Sequence, residues 1–108
     1  MDMTLREVCA MANISRRAVQ GYENANLVSA TGKTKQGYLL YDENAQERIK
    51  KIRLYQKLGF SIKEIQVIID AQNDSVKLKL EEKVKKLYEQ RDEIRLLIEV
   101  ANDMISKL

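Results

Sequence analysis

The chain of 108 residues has no proline, four glycines and 44% hydrophobic residues, a composition that predicts a small, nearly all-helical protein. Its single cysteine excludes an internal disulfide and fits a reducing cytoplasm, and no apolar run approaches the roughly 20 residues that cross a membrane. The net charge of +3 is compatible with a nucleic-acid partner but does not require one.

Two short helices joined by a turn are predicted at the start of the chain. The segment Thr4-Leu5-Arg6-Glu7 has the pattern of a capping box, in which the side chains of the first and last residues satisfy each other's backbone amides. After a turn at Asn13-Ile14, Ser15 is a good N-cap for a second helix that runs to about Ala25. This is the pattern of a helix-turn-helix, whose second helix enters the major groove of DNA.

A basic hairpin is predicted next. The segment from Gly32 to Gly37 contains two glycines and two lysines, as expected of a turn, and Tyr38-Leu39-Leu40-Tyr41 is rich in residues that favour strands. We therefore predict a small two-stranded wing.

A second pair of helices is predicted after the wing. Asp42 is positioned to cap a third helix that Gly59 ends, and Ser61-Ile62-Lys63-Glu64 is a second capping box that opens a fourth. We expect Phe60 to be buried at the hinge between them. A polar break from Gln72 to Ser75 then closes a first domain at residues 1–72.

The last segment, residues 75–108, has the heptad period of a coiled coil. Apolar residues recur in alternating steps of four and three, which predicts a seam that pairs two helices. The alternative is a helix that folds back on its own domain. The predicted dimer interface consists of Leu80, Val84, Leu87, Arg91, Ile94, Ile98, Ala101, Ile105 and Leu108.

In their order and spacing these segments resemble the mercury-resistance-regulator (MerR) family of bacterial transcription factors. The resemblance covers residues from about 3 to 70. It is carried by Asn13-Ile14-Ser15-Arg16-Arg17, Tyr22-Glu23, Leu27, Gly37-Tyr38, Tyr41-Asp42 and Leu58-Gly59-Phe60-Ser61-Ile62-Lys63-Glu64-Ile65.

This resemblance implies a winged helix-turn-helix followed by a long antiparallel coiled-coil helix. It also implies a homodimer that binds double-stranded DNA at a pseudo-palindromic promoter, distorts it and so lets RNA polymerase engage. The heptad extends to Leu108, so we expect no separate effector-binding domain.

Several residues depart from the family pattern. Gln20 and Leu39 stand where the family usually has arginine, and Gly21 replaces an aromatic residue. Asn26 and Ala30 replace the usual glycine and proline. Because two arginines are missing, we expect DNA binding that is weaker than is usual in the family, or that has a different sequence specificity.

The candidate DNA-binding residues fall into three groups: the start of the second helix, the wing, and the hinge between the third and fourth helices. Arginine pairs with guanine and glutamine with adenine, whereas lysines suit phosphates. For the hinge lysines the role comes from the resemblance, as a second wing. The set is Ser15, Arg16, Arg17, Gln20, Lys33, Lys35, Tyr38, Lys57 and Lys63.

No catalytic residue, metal site or cofactor is expected. The chain has no histidine, and the region where metal-sensing members of the family carry cysteines reads Asn73-Asp74-Ser75-Val76. Two alternatives to a promoter-binding regulator remain open at this stage. One is an architectural, excisionase-like DNA-bending protein, and the other is a protein-interaction module that has lost its affinity for DNA.

Overall fold

The computed structural model describes all 108 residues, which divide into two compact units, Met1–Asp70 and Ala71–Leu108. The elements of the first unit are β1 (Met3–Thr4), α1 (Leu5–Ala12), α2 (Arg16–Asn24), β2 (Gly32–Lys33), β3 (Leu39–Tyr41), α3 (Glu43–Lys57) and α4 (Ile62–Ile68). The second unit is the single helix α5 (Asn73–Ser106). None of these helices combines the length and the apolarity that a membrane span needs.

Each predicted N-cap begins its helix. Both capping boxes are closed, with Thr4 bonded to Glu7 and Ser61 bonded to Glu64. The side chains of Ser15 and Asp42 accept the backbone N–H three residues ahead. Because these bonds satisfy amides that have no partner inside the helix, they set where each helix starts.

The wing is part of a three-stranded antiparallel sheet, whereas the sequence predicted two strands. The strand order is β1-β3-β2, so β3 lies between the predicted hairpin partner and a two-residue strand next to the N-terminus. Met3 pairs with Tyr41 on one side of β3, and Lys33 pairs with Leu39 on the other. The extra strand ties the wing to the start of α1.

The core of the first unit is formed by one face of each helix together with Tyr41 of the sheet. Phe60 is buried as expected, and its ring meets that of Tyr55 edge-on at a centroid distance of 5.8 Å. Gly59 has φ 102°, in the left-handed region that glycine adopts without strain. The fully buried side chains are Val8, Val19, Tyr22, Tyr41, Ile49, Ile52 and Ile65.

The break before α5 lies earlier than predicted. Asn73 is already helical, so the non-helical residues are 69–72 rather than Gln72 to Ser75. Gln72 is the N-cap by backbone conformation and makes no side-chain capping bond. Polar composition alone misplaced this boundary, because Asn73, Asp74 and Ser75 are accepted in a first helical turn as readily as in a loop.

Candidate nucleic-acid interface

Helix α2 is held in place by hydrogen bonds from three other elements. The hydroxyl of Tyr22 donates to Oε1 of Gln56 on α3 at 2.5 Å, and that of Tyr41 on β3 donates to Oε1 of Glu23 at 2.6 Å. At the C-terminal end of α2, Nε2 of Gln66 on α4 donates to the carbonyl oxygen of Ala25 at 2.9 Å. These bonds fix the orientation of α2 and leave its opposite face free.

The face of α2 that points to solvent carries the residues predicted to read bases. Arg16, Arg17 and Gln20 are exposed, and their side chains make no hydrogen bond or ion pair within the chain. Ser15 is exposed as well, but its hydroxyl oxygen accepts the N–H of Ala18 at 3.0 Å. Ser15 therefore acts as a helix cap in the free protein, and only its O–H proton remains to be donated.

The wing ends in a hydrogen-bonded turn. The N–H of Gly37 donates to the carbonyl oxygen of Thr34 at 3.0 Å, and the N–H of Tyr38 donates to the Thr34 hydroxyl at 3.1 Å. Gly37 has φ 90°, which a residue with a side chain would adopt only under strain. This turn displays Lys33 and Lys35 to solvent, and it leaves 67% of the Tyr38 side chain exposed.

A surface recess of about 540 Å³ brings the wing and the start of α2 together. Arg16 and Tyr38, both predicted from the sequence, line it together with Arg6 of α1. Sequence reasoning missed Arg6, because its position depends on the pairing of β1 with β3, which places the first turn of α1 beside the wing. Two guanidinium groups beside one recess make it attractive to an anion such as a phosphate.

The hinge lysines lie apart from this recess. Lys57 is the last residue of α3 and Lys63 lies in the first turn of α4, on either side of Gly59, and both are exposed. Like the four basic side chains on α2 and the wing, these two form no ion pair within the chain. By contrast Arg48, Lys50 and Arg91 each contact a carboxylate. The six cations of the predicted set thus carry charge that no carboxylate in the chain neutralises.

The environment of the cysteine next to this surface makes its thiol unreactive. Cys9 is half-buried, and that burial raises the pKa of its thiol, an effect that the nearby Arg16 opposes only in part. The thiol therefore stays protonated at neutral pH and is a poor nucleophile and a poor metal ligand.

Most of the predicted seam of helix α5 is exposed to solvent. None of its residues is buried, and the side chains of Ile94, Ile98 and Ile105 are 57%, 56% and 66% exposed. Arg91, at a seam position, contacts Asp92 at 3.1 Å and lies 4.9 Å from the ring centre of Tyr88. The second unit contains no other helix or strand, so the apolar side of α5 has no element of its own unit to pack against.

Comparison with known proteins agrees with the fold and with the resemblance noted in the sequence. The chain is 25% identical over 99 residues to the HTH-type transcriptional activator mta of Bacillus subtilis (strain 168), covering 92% of this chain and 38% of that protein. It spans two fifths or less of the length of the first curated relatives that it matches.

Solved structures show the same fold at low sequence identity. A MerR family transcriptional regulator from Bacillus cereus superposes with a TM-score of 0.82 at 23% identity, covering 99% of this chain and 82% of the other. HiNmlR, described as a MerR family regulator lacking the sensor domain and bound to promoter DNA, has a TM-score of 0.71 at 19% identity, with coverages of 92% and 80%.

Family models account for the whole of the chain after its first two residues. The model of the MerR HTH family regulatory proteins matches residues 3–72, and a second, described as MerR, DNA binding, matches residues 46–108. The chain belongs to the MerR family of helix-turn-helix regulatory proteins.

Proposed function

We propose that this chain is a dimeric, sequence-specific DNA-binding transcriptional regulator, with residues 1–72 as the DNA-binding domain and residues 75–108 as the dimerisation helix. The observation that carries the proposal is the exposed side of α2. There Arg16, Arg17 and Gln20 extend into solvent without partners, on a helix whose other side is fixed by Tyr22 and Tyr41.

The chemistry of these three side chains suits base recognition. A guanidinium can donate two parallel hydrogen bonds to a guanine, and the amide of Gln20 can pair with an adenine. In a helix-turn-helix, residues at the N-terminal end of the second helix lie nearest the base edges. Arg16 and Arg17 occupy the first turn of α2, and Gln20 lies about one turn further on.

The remaining members of the predicted set are suited to the DNA backbone. Lys33, Lys35 and Tyr38 are displayed by the wing, and Lys57 and Lys63 lie on either side of the hinge. A lysine that meets a phosphate releases a condensed counterion, so it adds affinity on every sequence and steepens the dependence on salt. These residues would set the position of the protein on DNA, and those of α2 would select the sequence.

Dimerisation through α5 is supported by its exposed apolar seam, because a soluble helix with one apolar side gains stability when that side is covered by a partner. The charges of α5 favour an antiparallel pair. Residues 76–91 contain six basic and three acidic side chains, whereas residues 92–108 contain two basic and four acidic ones. An antiparallel arrangement places the basic half of each helix opposite the acidic half of its partner.

The place of action is proposed from the relatives. The mta protein is named a transcriptional activator, and HiNmlR is described as bound to promoter DNA. By analogy we place the dimer on a pseudo-palindromic promoter that it bends, with RNA polymerase as its partner there, in the cytoplasm. The two-fold symmetry of a dimer requires two half-sites in inverted orientation.

Selection of bound sequences from random duplex DNA tests this function. We expect an inverted repeat, and we expect the Arg16→Ala/Arg17→Ala variant to lose at least roughly tenfold in affinity for it, because each bidentate base contact contributes about 1–3 kcal/mol. Sites without an inverted repeat would favour the DNA-bending alternative. If the wild type binds duplex DNA no better than the double variant does, the result would instead favour the protein-interaction module.

A further inference from the structure

A second basic recess includes the hinge lysine Lys57 but otherwise lies outside the surfaces described above. It has a volume of about 230 Å³ and is formed where the end of α1 meets one side of α3. Its basic residues are three, four and seven positions apart along α3 and therefore share one face of the helix. The lining residues are Met11, Ala12, Lys50, Arg53, Leu54 and Lys57, and none of them is acidic.

Within this recess, the side chain of Arg53 lacks the hydrogen-bond partners that a buried guanidinium nitrogen normally has. Its Nε is buried without any hydrogen-bond partner, and the side chain forms no ion pair. On the opposite side of the same helix, Arg48 is bonded by both terminal nitrogens to Asp70. A buried guanidinium nitrogen without a partner is unfavourable, and in folded proteins such a group usually pairs with an ordered water or an ion.

The recess lies beside the helix-turn-helix. Met11 and Ala12 are the last residues of α1, directly before the turn at Asn13 that leads into α2. The charge of Arg53 also reaches Tyr22 on α2: burial raises the pKa of that hydroxyl, and Arg53 lowers it in part. Arg53 therefore lies close enough to α2 for its charge to act on that helix.

We propose that Lys50, Arg53 and Lys57 form a phosphate-binding ridge that holds the backbone of duplex DNA beside the groove that α2 enters. This rests on the proposed function and extends it, since of the three only Lys57 belongs to the set predicted from sequence. Lys50 contacts Glu47 at 3.0 Å, but their side chains are 44% and 72% exposed, so this pair is weak and can be exchanged for a phosphate.

A purely structural role for the ridge makes a different prediction. The last turn of α1 contains no basic residue, and cations near the C-terminus of a helix stabilise it through the helix dipole. If Lys50 and Arg53 served only that purpose, removing their charge would lower the melting temperature and leave DNA binding unchanged. Stability and salt dependence must therefore be measured on the same variants.

The test compares Lys50→Gln and Arg53→Gln with the control Lys51→Gln. Lys51 is the neighbouring lysine on the same helix, turned about a third of a turn away from the ridge. Affinities of each variant of the 108-residue chain are measured for a selected duplex and for an unrelated duplex over a series of salt concentrations. Melting temperatures are recorded alongside.

We expect Arg53→Gln and Lys50→Gln each to weaken binding to both duplexes by a similar factor, roughly threefold or more. We also expect the slope of log K against log salt to become shallower by about 0.9 for each phosphate lost. Lys51→Gln keeps the wild-type slope. Unchanged slopes in both ridge variants overturn the proposal, whatever happens to the melting temperature.

The same experiment separates this proposal from the function on which it rests. If Arg16→Ala/Arg17→Ala loses binding while the ridge variants keep the wild-type slope, only the ridge is wrong. If the wild-type chain binds neither duplex at low salt, the DNA-binding function is wrong as well.

Discussion

The hydroxyl of Tyr41 donates a 2.6 Å hydrogen bond to the carboxylate of Glu23, joining the central strand of the wing to the last turns of α2. The ring of Tyr41 is fully buried, so the bond is formed at the edge of the core and largely away from water. The two elements proposed to meet DNA therefore have a fixed relationship to each other before any DNA is bound.

Replacing Tyr41 with phenylalanine should lower the free energy of unfolding by about 1–3 kcal/mol, because the partly buried Glu23 carboxylate loses its donor. Urea unfolding measures the change. Tyr38→Phe is the matched control, since that side chain is 67% exposed and its hydroxyl makes no hydrogen bond. Equal stability of Tyr41→Phe and the wild type would show that the bond does not hold α2.

Stability should fall in alkaline solution as buried tyrosines are forced to ionise. Burial raises the pKa of Tyr22, and burial together with the bond to Glu23 raises that of Tyr41. Above about pH 10 the unfolded chain releases these protons while the folded chain retains them, so the free energy of unfolding decreases as the pH rises further.

Unfolding curves at a series of alkaline pH values measure this loss. Tyr41→Phe should show a shallower decline than the wild type, and the difference between the two isolates the contribution of Tyr41. Identical slopes would mean that Tyr41 ionises in the folded chain as easily as in the unfolded one.

Two glycines should respond to alanine in opposite directions. Gly59 has φ 102°, so Gly59→Ala forces a strained backbone and should destabilise the protein by about 1 kcal/mol or more. Gly21 lies inside α2, where an added Cβ meets nothing within 4 Å, so Gly21→Ala should stabilise it by about 0.5–1 kcal/mol. Melting temperatures of the two variants should lie on either side of the wild-type value.

The wing lysines should contribute affinity without contributing specificity. Lys33→Gln/Lys35→Gln should weaken binding to selected and unrelated duplexes alike, with a salt slope shallower by up to about 1.8 if each lysine meets one phosphate. Fluorescence anisotropy over a range of salt measures both quantities. A loss confined to the selected duplex would place these lysines on base edges instead.

Charge introduced into the seam of α5 should separate the dimer. Ile98→Asp puts a carboxylate at a position meant to be covered by the partner helix, where an unpaired charge is strongly unfavourable. Leu96→Asp is the control, because Leu96 is 61% exposed and lies outside the heptad seam. Analytical ultracentrifugation should find Ile98→Asp monomeric and Leu96→Asp dimeric, and a wild-type monomer would refute the pairing altogether.

Local signals in the sequence were sufficient to predict most of the fold. Capping depends on residues three positions apart, so Thr4 with Glu7 and Ser61 with Glu64 could be recognised from spacing alone, and both boxes are confirmed. The exposure of Arg16 and Arg17 follows from the same logic, since Val19 and Tyr22 take the buried side of that helix.

Features that depend on contacts between distant segments could not be predicted. Strand β1 is two residues long and exists only because β3 offers it hydrogen bonds. Gln46, a polar residue near the start of α3, is buried because its amide donates to the carbonyl oxygens of Met1 and Tyr41. The basic recess at Arg53 likewise requires the end of α1 to lie against α3.

Arg48 has a mechanical consequence. Its Nε donates to the carbonyl oxygen of Leu27, at the start of the loop that leads into the wing, while its two terminal nitrogens grip the carboxylate of Asp70. One rigid, planar group thus bridges two stretches of backbone 43 positions apart. A displacement of the chain at Asp70 therefore reaches Leu27 through the guanidinium group of Arg48. This route is far shorter than the one along the covalent backbone.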